Sequence, residues 1–300
     1  MNRIAITGAS GLVGRALDRF LQGSGHLVIP LVRHDPVAGE IRWDPTGPFD
    51  TGPLERVDVL VHLAGESIAG RRWNATKKQR IRQSRVEATR NLCHHLARMD
   101  RPPSTLLCAS AIGYYGDRGD EMLDEQSPPG RGFLAQVGID WEAAAAPAVE
   151  AGIRVVHLRL GMVLSPDGGA LAMMLPIFRL GLGGRLGSGR QFWSWIAIDD
   201  VVSAIGFAME RPDLDGPVNV VAPQPVRNIE FTRTLAGVLH RPALLPAPSF
   251  LLRLGLGEMA DELLLASARV RPRRLEEAGF QFCLPQLDVA LRTLLQDRRT

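Results

Sequence analysis

The segment Thr7-Gly8-Ala9-Ser10-Gly11-Leu12-Val13-Gly14 constrains this chain more than any other, because it joins an apolar run, Ile4-Ala5-Ile6, to a helix-like run beginning at Leu12. Three glycines at this spacing let a strand turn sharply into a helix, bring bare backbone close to a bound group, and pack the helix on its strand. The helix start then offers unpaired N–H groups and the positive end of its dipole to an anion. Such a turn suits a pyrophosphate, so Thr7, Gly8, Ser10, Gly11, Leu12, Val13 and Gly14 are expected to hold a dinucleotide.

The rest of the chain repeats the strand-then-helix rhythm. Apolar bursts at 4–6, 27–32, 57–63, 105–109 and 154–160 alternate with helical stretches at 12–22, around 74–99 and around 133–151. That alternation predicts an α/β fold: a Rossmann-type doubly wound parallel sheet with a smaller mixed substrate-side C-terminal domain. Residues 1–160 are assigned to the nucleotide-binding domain, to which 197–222 return. Residues 161–196 and 223–300 form the substrate-side region and a C-terminal helical extension. Pro30 removes a ladder donor from the second strand and puts that strand's length in question. The glycine-rich stretch 181–189 reads either as a binding loop or as a surface connection.

Composition narrows the function. An apolar content of 45% over 300 residues supplies a sizeable core, and a net charge of +3 is too mild to argue for nucleic acid, though it suits a small anionic ligand. Arg269, Arg271, Arg273 and Arg274 cluster without interleaved aromatics and read as a solvated helix face. Cys93, Cys108 and Cys283 are few and far apart, which fits a reducing compartment. His94 and His95 diverge on a helix and the other histidines are scattered, so no metal is expected. No apolar run reaches membrane-spanning length and the first strand leaves no room for a signal peptide. The expectation is a cytoplasmic protein with a small-molecule substrate, no nucleic acid and no membrane partner; a homodimer is left open.

The second strand points to the cofactor. NAD-binding turns usually carry an acid there, roughly 20 residues past the glycines. Here the residues are Val32-Arg33-His34. A guanidinium fork matches a 2′-phosphate. NADP is therefore expected, with Arg33 as the clamp and His34 beside it; Asp35 is close enough to complicate the choice. Further on, 59–65 ends in Leu63-Ala64-Gly65, small enough for adenine and ribose to lie against its backbone.

Arg190-Gln191-Phe192-Trp193-Ser194-Trp195 combines a cation, an amide and three aromatic rings, a set able to stack on a sugar ring and pair with a phosphate. The only tyrosines, Tyr114 and Tyr115, are adjacent in a glycine-flanked loop at the end of the 105–109 strand, where open α/β sheets bind ligands.

With TGASGLVG at 7–14, VLVHLAG at 59–65, SAIGYYG at 110–116 and the later RLGMVLSP, WIAIDDV and GPVNVVAP segments, the chain resembles the extended short-chain dehydrogenase/reductase superfamily. AGESIAGRRW at 64–73, FLAQVGIDWEAA at 133–144, GSGRQFWSWIAIDD at 187–200 and the GEMADELLLAS-to-RRLEEAGF tail are similar to its nucleoside-diphosphate-sugar epimerase family. The resemblance covers nearly the whole chain. It implies a Tyr-x-x-x-Lys pair for proton transfer, yet the matching helix begins Phe133-Leu134-Ala135-Gln136-Val137 and carries neither group. The usual serine position is Ala111, with Ser110 one residue earlier, either touching the nicotinamide or capping a turn. Tyr114 is then the best surrogate proton donor, with Glu66 next. The resemblance also places Ala109, Arg159 and Gly161 near the nicotinamide, and Arg72, Trp73, Tyr115, Arg190, Gln191, Trp193 and Trp195 around the substrate, with Asp199 and Asp200 opening the following helix; as carboxylates at a helix start, the two read as its caps. The implied function is an NADP-binding oxidoreductase-like protein, an epimerase or reductase acting on a nucleotide sugar. The alternative is a catalytically inactive NADP(H)-sensing regulator that binds a partner.

Overall fold

In the computed structural model, which describes residues 1–70 and 72–296, the shape of the first turn is set by its glycines. Strand β1 (Arg3–Thr7) runs into Gly8 at φ +70°, and α1 (Leu12–Gly23) starts directly after Gly11. A β-carbon on Gly14 would stand 2.2 Å from the Gly8 carbonyl oxygen. Only a residue without a side chain lets α1 lie so close to its loop.

The central sheet comprises β1, β2 (Leu27–Val32), β3 (Ile41–Arg42), β4 (Val59–His62), β5 (Thr105–Ala111), β6 (Arg154–Leu160) and β7 (Gly216–Val220). Their spatial order is β7-β6-β5-β4-β1-β2-β3, and every neighbouring pair is parallel. This is a Rossmann-like α/β fold, and the order reverses between β1 and β4, which opens a crevice at the strands' C-terminal ends. Strand β2 keeps its full length through Pro30. Its outer neighbour β3 pairs only with Leu31 and Val32, so β2 is an edge at Pro30, where a missing donor is tolerated.

The longer helices are α1, α2 (Ala75–Arg82), α3 (Ala88–Leu96), α4 (Phe133–Ala143), α5 (Gly169–Arg179), α6 (Ile198–Glu210), α7 (Asn228–Leu239), α8 (Ser249–Leu256) and α9 (Leu287–Gln296). Alternation along the strands decides which helices each face meets. Ile4, Ile6, Val59 and Val61 pack with Leu17 and Leu21 of α1 and Val201 and Ile205 of α6. Ala5, Leu31, Leu60 and Leu106 face the other way, onto Leu92 and Leu96 of α3. Two of the expected helices are subdivided. The 74–99 stretch contains a π-turn, Gln83–Glu87, between α2 and α3. The 133–151 stretch stops at Ala143 and resumes as Ala146–Glu150 with Pro147 in its first turn.

Outside the central sheet the chain forms two-stranded pairings: Trp195–Ala197 with Met162–Leu164, Phe192–Trp193 with Val226–Arg227, and Arg269–Val270 with Met122–Leu123. The glycine-rich 181–189 loop is pinned by bridges from Leu182 to Ala243 and Leu186 to Ala247. Arg271, Arg273 and Arg274 pair with Glu276, Glu277 and Asp215 at 2.8, 2.7 and 3.2 Å, so three of the four clustered arginines are locally neutralised. Among the described residues no helix is long and apolar enough to cross a membrane.

Candidate cofactor and active site

Gly11 caps α1 without any side-chain acceptor, and no acid lies in the helix's first turn. The leading N–H groups therefore stay uncapped, ready for an anion. A β-carbon on Gly8 would meet the Leu63 carbonyl carbon at 2.8 Å, so the 7–8 and 63–64 segments touch through bare backbone. Thr7 is fully buried. Its Oγ1 lies 2.7 Å from His62 Nδ1 and accepts the Ala64 N–H at 3.2 Å, tying the ends of β1 and β4 together instead of facing a ligand. His62 Nε2 lies 3.1 Å from Thr89 Oγ1, which accepts the Trp141 indole N–H at 2.9 Å. Burial lowers His62 to about 4, so the ring is neutral.

Past the end of β2, Arg33 is exposed and has no partner among the described residues. The complicating Asp35 is engaged by Arg42 at 2.6 Å, and His34 Nδ1 lies 2.9 Å from the Asp35 carbonyl. The glycine turn and the unpaired guanidinium fit a dinucleotide bearing an additional phosphate.

Beneath the crevice runs a buried polar chain. Ser110 donates to Glu142 Oε1 at 2.7 Å; Arg159 grips both Glu142 oxygens at 2.8 and 2.7 Å and donates to the Tyr115 hydroxyl at 2.9 Å; Tyr115 donates to Asn219 Oδ1 at 2.8 Å. Burial opposes charge on Arg159, but Glu142 outweighs it and raises the guanidinium above its ordinary range. Burial also pushes the Tyr115 phenol up to about 12. These contacts correct three expectations: Ser110 and Arg159 are spent below the cleft, and Tyr115, 0% exposed, cannot touch a substrate. Ala109 packs on Val86 and Trp141, and Gly161 is a packing glycine whose β-carbon would meet Val221 at 2.7 Å. Tyr114 is different. Its ring lies 3.6 Å from the Arg159 guanidinium, it is partly exposed, and its hydroxyl has no partner among the described residues.

Glu66 faces Lys77 at 2.7 Å, and that contact lowers its carboxyl. A carboxylate held ionised accepts protons, which corrects its expected role as a donor. The π-turn brings Ser84 and Arg85 to the same segment: Ser84 Oγ accepts the Glu66 N–H at 2.9 Å and Arg85 donates to the Glu66 carbonyl at 2.9 Å.

Phe133, at the head of α4, stacks edge-on with Trp73 and carries Lys78 4.4 Å over its ring. Trp73 is buried and donates to the Ile68 carbonyl at 2.8 Å; Arg72 is exposed beside Gly257. The first amides of α4, from Phe133 and Leu134, are capped by Glu262 at 2.9 and 3.1 Å. On the other side, Gln191 donates to the Leu186 and Leu264 carbonyls, Trp195 is fully buried and donates to the Gln224 carbonyl, and Trp193 packs on Phe231. These aromatics make a seam and leave no substrate-facing surface, against expectation, because their rings interlock with apolar side chains such as Leu171 and Phe231. Phe192 lies between the Arg227 and Arg269 guanidiniums at 4.4 and 4.8 Å, with Arg190 exposed nearby. Asp199 and Asp200 lie inside the first turn of α6, whose start has no side-chain cap, against the expectation that they cap it; Asp200 instead accepts the Cys283 and Leu284 N–H groups at 2.7 and 3.0 Å and ties that segment to the helix.

The model of the NAD dependent epimerase/dehydratase family matches residues 4–222, the span holding the glycine turn, the polar chain and β7. The chain belongs to this family. A second match, to the domain of unknown function DUF1731, covers residues 247–294, the segment that supplies Glu262. The epimerase family protein Mb2239 of Mycobacterium bovis is 48% identical, with 93% of each chain covered. Among solved structures, human epimerase family protein SDR39U1 (isoform 2) with NADPH is 35% identical, covers 98% of this chain and 99% of its own, and has a TM-score of 0.90. A nucleoside-diphosphate sugar epimerase from Corynebacterium glutamicum is 41% identical over 98% of this chain and 58% of its own, with a TM-score of 0.82. Within the family frame, the residues missed by the sequence reading are Glu142, Lys77, Arg85 and Glu262. Glu142 alone left a signal: it is the lone carboxylate in the otherwise apolar stretch Trp141 to Ala146, which begins at the end of α4.

Proposed function

We propose that this epimerase-family chain binds NADP(H) and uses it in epimerase or reductase chemistry on a nucleotide sugar. The observation that carries the reading is the uncapped start of α1 behind Gly8, together with an Arg33 that has no acidic partner among the described residues. The NADPH of the human relative supports the choice of cofactor. Ser10, Gly11, Leu12 and Val13 would hold the pyrophosphate, Arg33 and His34 the 2′-phosphate, and Leu63, Ala64 and Gly65 the adenosine side. When bound, the nicotinamide supplies or accepts a hydride. The chain supplies the proton: Tyr114 carries an uncommitted hydroxyl at the C-terminal end of β5, and the buried Glu142–Arg159 pair fixes its ring from below. For the sugar nucleotide, Arg190 and Arg269 offer cations near Phe192, where Arg227 is already paired with Asp120 at 3.0 Å; Arg269 Nε is buried and has no hydrogen-bond partner among the described residues. The nucleoside-diphosphate sugar relative supports this substrate class.

The test is exchange of label between 4-deuterated NADPH and a panel of nucleoside-diphosphate sugars and their keto derivatives. Label transfer that disappears in Tyr114→Phe supports the reading. One structural fact favours the sensor alternative: Phe133 replaces a proton-carrying group at the head of α4. Tight NADPH binding with no transfer to any panel member would select that alternative.

A further inference from the structure

We propose that the face formed by α5, the paired 181–187 and 243–247 segments and α8 docks on an anionic lipid surface, its leucines entering the acyl boundary and its arginines meeting phosphate headgroups. This face uses none of the residues assigned above to the cofactor or the proton.

Isolated surface leucines are ordinary, whereas a contiguous group of them marks a contact. Nine of the fifteen large apolar side chains exposed among the described residues fall in two short stretches, 173–182 and 244–254, and each is at least half exposed. Met173, Ile177 and Leu180 recur at helical spacing along α5 and just past its end. The bridges from Leu182 to Ala243 and from Leu186 to Ala247 bring the second stretch alongside the first, where Leu244, next to Ala243, is 80% exposed. Helix α8 then opens at Ser249, presents Phe250, Leu251 and Leu254, and buries no residue of its own. A helix of that length is marginal in water unless a surface covers it.

Charge selects the partner. A cavity of about 600 Å³ opens beside Leu244, lined by Arg185, Arg233 and Arg241 together with Ile229 and Ala236, and no carboxylate among the described residues lines it. Arg185 donates to the Gly187 and Ser188 carbonyls at 3.1 and 2.9 Å, and Arg241 to the Arg179 carbonyl at 3.0 Å. Carbonyls orient these two guanidiniums and leave their charge uncompensated. Arg233 has no partner among the described residues. Arg253 of α8 differs, being paired with Asp261 at 2.8 Å. A second copy of the chain on a twofold axis would set the same arginines against one another. The face also holds no tryptophan or tyrosine, the usual anchors of protein interfaces, and is built mainly from leucines, which such anchors seldom are. A lipid interface requires no matching shape: it accepts protruding apolar side chains while its phosphates meet the guanidiniums. Such a contact needs no spanning segment, so the expectation of no membrane partner, drawn from the lack of one, does not bear on it.

The test is flotation of the full-length protein with vesicles of phosphatidylcholine alone and of phosphatidylcholine and phosphatidylglycerol in equal parts. Binding to the mixture should be at least about tenfold stronger than to phosphatidylcholine alone, and should fall as salt rises. Arg233→Glu combined with Arg241→Glu should weaken it about 100-fold or more, and Leu180→Ser combined with Leu244→Ser about 10- to 100-fold. Melting temperatures of both double variants should match wild type, because all four side chains are exposed. No flotation with the mixture overturns the proposal, as does equal binding to both vesicle types or binding that both double variants retain. Sedimentation velocity supplies the remaining arm: a wild-type dimer that Leu180→Ser with Leu244→Ser turns into monomer assigns the face to a second copy and overturns the lipid assignment.

Discussion

The Arg159 guanidinium lies 3.6 Å from the centre of the Tyr114 ring while both oxygens of Glu142 hold it from the other side. A cation and its counter-ion, both withdrawn from water, thus form the support on which the one uncommitted phenol rests. Removing one member should be costly. Arg159→Met leaves a buried carboxylate uncompensated, and a loss of about 3 to 5 kcal/mol is expected in denaturant melts. The paired variant Arg159→Met with Glu142→Leu should recover much of it. A double-variant loss equal to the sum of the two single-variant losses would show that the pair is not coupled.

Tyr114→Phe keeps the ring on Arg159 and deletes only the hydroxyl. Label exchange should fall roughly 100- to 10,000-fold, with NADPH affinity and melting temperature close to wild type. Ser110→Ala should alter exchange far less, because that hydroxyl is consumed by Glu142. Full turnover in Tyr114→Phe removes it from the chemistry.

How far these residues could be read in advance depended on the range of the contacts. The glycine turn was legible because Gly8, Gly11 and Gly14 answer to local backbone geometry, and the seven-strand frame because apolar bursts announce buried parallel strands. Arg33 was legible because its place at the end of a strand is fixed by counting. Tyr115 and Trp195 were misplaced for a physical reason: an aromatic with a polar tip has the same sequence appearance whether its tip meets a ligand or, as here, Asn219 and Gln224. Glu142 and Glu262 act on partners 17 and 129 residues away, which no local pattern encodes. The π-turn stayed hidden because Gln83–Glu87 holds no proline or glycine to mark a break in the helix.

Gly14→Ala places a methyl 2.2 Å from the Gly8 carbonyl oxygen. Either α1 shifts or the loop opens, at a cost of about 1 to 3 kcal/mol or more. NADPH binding should be lost by calorimetry even where the protein stays folded. An unaffected dissociation constant would exclude this turn as the phosphate site.

Cofactor preference is expected to track Arg33. Wild-type protein should bind NADP more tightly than NAD, and Arg33→Asp should weaken NADP about 10- to 100-fold while changing NAD much less. The ratio of the two constants is the readout. If it stays constant, the clamp lies elsewhere.

His62 gives stability a pH dependence. Its folded-state value of about 4 lies below the unfolded 6.5, so between these values the unfolded chain binds the extra proton. The neutral ring's contribution is complete above pH 6.5 and is lost progressively as pH falls towards 4, by about 3 kcal/mol in all. Urea midpoints measured across that window should show the drop. His62→Asn should lack this component; an identical pH profile in the variant would assign the effect to other groups.

Glu262 has a consequence for how the polypeptide can be divided. Because the acid that satisfies the start of α4 arrives from a segment more than a hundred positions downstream, cutting the gene ahead of residue 247 would not yield a smaller working module. It would strip two amides of their acceptor and Trp73 of its cover, Met259 and Leu256. The two recognisable sequence regions are therefore one inheritable unit, and recombination that swaps either for a foreign counterpart must bring the matching half of this contact with it.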